Sequence, residues 1–111
     1  MMSSKVLVII ATGEEEKALT GLRYAYRTMS EGWLDEVKVM FFGPSERLLV
    51  QNEDIAKLAR EMSAVEKPIA CKFISDRDGI SDKIEGLGVK VEYVGTIIAD
   101  FIKQGYVPMV F

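Results

Sequence analysis

The stretch KPIACKFISDRDGI, Lys67 to Ile80, holds the single cysteine of the chain, Cys71. A short apolar run ends there and a polar, helix-compatible segment begins. A cysteine at a strand end and helix start faces unpaired backbone N–H groups and the positive end of the helix dipole. Lys72 adds a cation beside it, and Arg77 a second along the same segment. Such surroundings favour thiolate, the nucleophilic form of the side chain. Free cysteine is also among the most buried residue types and often packs as a small hydrophobe. The residues alone leave both readings open.

Other chemistries have less to draw on. The 111 residues contain no histidine, which removes the commonest general base and the commonest metal ligand. With one cysteine and no histidine, a zinc or copper site lacks donors. The acids Asp76 and Asp78, and Glu53 with Asp54, lack a calcium-loop spacing and read as solvated helix faces. The net charge is −3, and the fourteen Lys and Arg are scattered, so nucleic acid is not an expected partner. No apolar run approaches the ~18 residues of a membrane span, and VLVII is too short for a signal-peptide core. A cytoplasmic protein with a reduced thiol is expected.

The elements that must position Cys71 follow from periodicity. Residues 1–111 read as one domain with 49% hydrophobic and 28% charged residues. KVLVIIA, from Lys5, is a continuous β-branched run, a strand buried on both faces. Thr12 with Glu15 reads as a capping box opening a helix whose inner face carries Leu19, Leu22, Tyr26, Met29 and Trp33. Gly21 interrupts that helix, a cost that close approach to the sheet would offset, and Gly32 stops it. EVKVMFFG is a second strand, SERLLVQ about one turn of helix, and Asn52 the cap of a helix lined by Ile55, Leu58, Ala59 and Met62. KPIAC is a third strand, followed by a brief helix from Lys72 to Asp78 stopped at Gly79. A single turn from Ser81 precedes the fourth strand, GVKVEYVG. The helix TIIADFIKQG turns Ile97, Ile98, Phe101 and Ile102 inward, and YVPMVF is the fifth strand.

Alternating strands and helices predict an α/β fold of three layers, α/β/α, around a five-stranded parallel sheet. The first two strands are apolar almost throughout and belong at the centre. The fourth alternates apolar with charged residues, and Pro108 interrupts the fifth; both suit edges. The expected strand order is 4-3-2-1-5.

In such a sheet ligands bind along the carboxyl ends of the strands. The rim residues are Thr12 and Gly13, Gly43 and Ser45 around Pro44, Cys71 and Lys72, and Gly95 and Thr96. Thr12-Gly13 leads into three glutamates, which repel a phosphate and exclude a dinucleotide cradle. Gly43-Pro44-Ser45 reads as an anion-binding nest or as a plain turn. Trp33-Leu34 reads as an exposed knob or as a return to the core.

The segments FFGPSERLLV, ACKFISDRDGI, GVKVEYVGT and FIKQGYVPMVF, in that order, resemble the DsrE/DsrF-like (DsrEFH-like) family of sulfur-relay proteins over nearly the whole chain. The family pattern places a cysteine at the end of the third strand, then a short helix, a glycine and an aliphatic residue. Cys71, Gly79 and Ile80 occupy those positions. The resemblance implies a thiol that accepts sulfane sulfur as a persulfide and passes it to an acceptor thiol protein, without metal or organic cofactor. It also implies a homotrimer or homohexamer with the sheet order given above. Lys72, Phe73 and Ile74 replace the small polar residues often found after the family cysteine, and Phe73 is placed to shield the sulfur. The sequence thus sets a sulfurtransferase or sulfur carrier working through Cys71 against a non-enzymatic binding or assembly module in which Cys71 is structural. A redox-sensing thiol is a third reading.

Overall fold

The computed structural model describes residues 3–111. Its elements run β1 (Lys5–Ile10), α1 (Glu15–Glu31), β2 (Glu36–Phe41), α2 (Ser45–Gln51), α3 (Glu53–Ser63), β3 (Ile69–Cys71), α4 (Lys72–Arg77), α5 (Ser81–Glu85), β4 (Lys90–Glu92), α6 (Gly95–Lys103) and β5 (Val107–Val110). The strands form one sheet in the order β4-β3-β2-β1-β5, and every neighbouring pair is parallel. The expected fold class and strand order are those of the molecule. The edge strands are β4, with its charged alternation, and β5, with Pro108.

The topology divides the helices between the faces. From β1 to β4 each new strand is laid down on the same side of the last. Right-handed crossovers then keep the intervening helices on one face. Val6, Val8, Ile10, Val37, Val39 and Phe41 point to that face and pack against Leu22 and Ala25 of α1, Leu49 of α2, and Ile55, Ala59 and Met62 of α3. The step from β4 back to β5 reverses direction and carries α6 across the other face. There Leu7, Ile9, Met40 and Cys71 pack with Val94 and Tyr106 under Ile97, Ile98 and Phe101. One nine-residue helix is the cover of this second face. Pro108 and Val110, opposite Leu7 and Ile9 in the register, remain exposed.

Several local signals operate as expected. Asn52 is extended, separates α2 from α3, and its Oδ1 accepts the Ile55 amide at 3.0 Å. Gly32 closes α1 in the left-handed region, φ 67°.

Others differ. Thr12 does not form a capping box. Its Oγ1 accepts from the Glu14 amide at 3.0 Å, so the chain turns before α1, which begins only at Glu15. SERLLVQ is a full seven-residue helix because Leu48 and Leu49 are buried against the sheet. Ile102, near the end of α6, is exposed rather than turned inward, and Tyr93 is exposed just past the edge strand β4. Trp33 lies past the end of α1 and is exposed, whereas Leu34 returns to pack on the core. Among the described residues no helix is long and apolar enough to cross a membrane.

Candidate functional site

Cys71 is at once the last residue of β3 and the N-cap of α4. Its backbone is extended, φ −69° and ψ 116°, and its side chain makes no capping hydrogen bond. The sulfur therefore stands at the carboxyl edge of the sheet, where the first amides of α4 begin. It belongs to the apolar cluster beneath α6 and is 5% exposed. Its in-register neighbour on β4 is Glu92. On the β2 side the last pair is Phe41 with Ala70, so Phe42 and Cys71 each lie one residue beyond it. Phe42 is 40% exposed, so the row at this rim runs from an apolar ring through the thiol to a solvated carboxylate.

The charges expected around the sulfur are engaged elsewhere. The Lys72 ammonium lies 3.2 Å from Asp76 and 6.0 Å from the centre of the Tyr93 ring. Its hydrogen bond to Asp76 holds the lysine above its ordinary range. Asp76 is held below its own, first by Ser81 and then by Lys72. Arg77 contacts its neighbour Asp78 at 3.2 Å, and Asp78 also meets Arg47 of α2 at 3.4 Å. Phe73 does not close over the apolar cluster, for it is 66% exposed.

The rim loops come together in two pairs. Gly13 packs so near Pro44 that a Cβ there would lie 3.0 Å from the proline Cβ, which joins the Thr12-Gly13 loop to Gly43-Pro44-Ser45. Ser45 ties this pair to β1, its amide to the Ala11 carbonyl and its hydroxyl to that of Ile10. The Gly43 amide is taken by the Glu46 carboxylate at 3.3 Å. These donors are spent within the chain, so the segment is a turn rather than an anion nest. In the second pair, Val94 shares the apolar cluster of Cys71 and leads directly into Gly95 and Thr96 at the start of α6.

Two residues of this rim went unread in the sequence. Phe42 looked like the tail of an apolar strand, and only the register shows that it follows the last β2–β3 pair as Cys71 does. Glu46 looked like a solvated residue in a helix first turn, yet it is fully buried.

What the arrangement offers is a single thiol at a strand-to-helix junction, with three exposed aromatic residues, Phe42, Phe73 and Tyr93, in the segments that end β2, open α4 and follow β4. Among the described residues no cluster of His, Cys, Asp and Glu is arranged to hold a metal. No protein-family model matches the chain, and no curated protein matches it. In structure it is similar to a conserved protein of unknown function from Bacteroides thetaiotaomicron, with a TM-score of 0.86 and 21% sequence identity over 96% of this chain and 95% of that one. A likeness at that identity establishes the architecture, and the residues of the rim must carry the functional argument.

Proposed function

We propose that the chain is a sulfur carrier, a sulfurtransferase subunit of the DsrE/DsrF-like kind, that takes up sulfane sulfur on Cys71. The observation that carries this reading is the position of Cys71 as N-cap of α4 with an uncommitted side chain. The Cys71 thiolate attacks the outer sulfur of a donor persulfide, RS–SH. The Sγ–S bond forms as the donor S–S bond breaks, and RS⁻ leaves. An acceptor thiolate then attacks the outer sulfur of Cys71–S–SH and takes it, returning Cys71 as thiolate. Each step is displacement at sulfur, whose rate follows thiolate fraction and access, so the lack of histidine is no obstacle. A single cysteine leaves no resolving thiol in the chain, so donor and acceptor are other thiols in a reducing cytoplasm. The exposed apolar residues at the rim and along β5 support self-association, and the family resemblance implies a homotrimer or homohexamer.

A second reading is favoured by one measurement: a cysteine 5% exposed in an apolar cluster is what a structural residue looks like. The chain would then be a binding or assembly module without sulfur chemistry. Alkylation of the native protein separates the two. The carrier modifies fully at Cys71 without denaturant, whereas a thiol that reacts only after unfolding contradicts the carrier and supports the module.

A further inference from the structure

Glu46 is the one fully buried carboxylic residue among those described. Its Oε2 accepts from the Gly43 amide at a long 3.3 Å, and its Oε1 is enclosed with no partner. A carboxylate in that position has lost its water for one weak hydrogen bond, whereas the neutral acid loses far less. The charged groups facing it come from α4. Asp78 opposes a second negative charge and Arg77 favours one, while Arg47, next on its own helix, is turned to Asp78. Burial dominates, against the Gly43 hydrogen bond, and pushes the Glu46 carboxyl up to about 7.

The group that Glu46 holds borders the thiol. Gly43 adopts φ 122°, and a Cβ there would meet the Ala11 carbonyl oxygen at 3.1 Å, so the turn is built tightly over the end of β1. It directly follows Phe42, which lies one residue beyond the last β2–β3 pair, Phe41 with Ala70, as Cys71 does.

We propose that Glu46 is a proton-operated latch on the Phe42–Ser45 turn: neutral, it stays inside and holds Gly43, and ionised, it leaves its site and frees the turn beside Cys71. Below neutrality the rim is closed, and access to the thiol is least. Above neutrality the carboxylate seeks water and the Gly43 amide loses its acceptor, which leaves the turn held to β1 by Ser45 and by the Phe42 amide on Ile10 alone and loosens it next to Cys71. The latch governs access whatever the thiol carries, so it does not rest on the sulfur reading.

The test has two arms. In the wild-type protein the Gly43 amide resonance should titrate with a midpoint of about 7. In Glu46→Gln, a permanent neutral mimic, that titration should vanish. Cys71 alkylation is then timed in both proteins from about pH 6 to about pH 8, a span across the Glu46 transition. Dividing the wild-type rate by the Glu46→Gln rate cancels the titration of the thiol itself. The ratio should rise several-fold across the span. A constant ratio, or a Gly43 midpoint in the ordinary carboxylate range, overturns the latch. If Glu46→Gln does not fold, the wild-type midpoint at Gly43 decides alone. A flat ratio in a protein that still takes up sulfur would sink the latch and leave the carrier reading standing.

Discussion

The ring of Phe111 occupies the space that a side chain at position 21 would need. A Cβ on Gly21 would lie 2.5 Å from Phe111 Cγ and 2.8 Å from Ile10 Cδ1. Phe111 is fixed there by its backbone, its amide bonded to Ile9 and its carbonyl to Ala11 and Thr12. The glycine in the middle of α1 thus lets the helix close on β1 and the residue after β5 together.

Gly21→Ala should therefore destabilise the protein despite alanine's better helix propensity. Overpacking costs about 1–3 kcal/mol, and the propensity gain offsets about 1 kcal/mol. A net loss of up to about 2 kcal/mol in chemical denaturation is expected. Adding Phe111→Leu should recover part of it, because the two sites share one space. Equal stability of Gly21→Ala and wild type would show that the ring moves aside at no cost.

Gly21 also shows how far the sequence could be read. A glycine inside an apolar 3.6-residue period implies close approach to something, but not to what. The strand order was legible because burial on one or both faces changes composition, and Pro108 and the Lys90–Glu92 alternation marked the edges. The Cys71 junction was legible because an apolar run ended there. Which partners Lys72 and Arg77 choose was not, because sequence spacing does not distinguish the thiol from Asp76 and Asp78 as neighbours. Glu46 was hidden for a similar reason: burial of a charged type in a first turn depends on α4 packing beside it.

Folding stability should carry the signature of Glu46. Its folded carboxyl titrates at about 7, against 4.5 for the ordinary group. The folded state holds the proton more tightly, so this stability is fully present below about 4.5 and is lost as pH rises to about 7. Glu46→Gln should lack that slope and gain up to about 3 kcal/mol over wild type in mildly alkaline buffer. Parallel pH–stability curves for the two proteins would contradict the burial of this carboxyl.

Tyr106 should ionise late. Burial, together with its 2.8 Å hydrogen bond to Glu36, pushes the phenol up to about 12. The same bond, with Lys5 nearby, holds Glu36 below its usual range. An alkaline absorbance titration should show a late component with a midpoint of about 12. Tyr106→Phe should remove that late component, and its persistence in the variant would assign it to another residue.

The thin cover of the second sheet face predicts self-association. Phe42 and Val110 are exposed at the rim and on β5, and Ile102 is exposed on α6 itself. Light scattering at low micromolar concentration should give the mass of a trimer or hexamer. A clean monomer mass would show that these residues are tolerated in water.

The carrier reading is tested most directly by intact mass. The protein is incubated with polysulfide, weighed, then reduced and weighed again. The account predicts a mass gain of one sulfur atom, removed by reductant, and no gain in a folded Cys71→Ser variant. An unchanged wild-type mass, or the same adduct on the Cys71→Ser variant, would contradict sulfur carriage by Cys71.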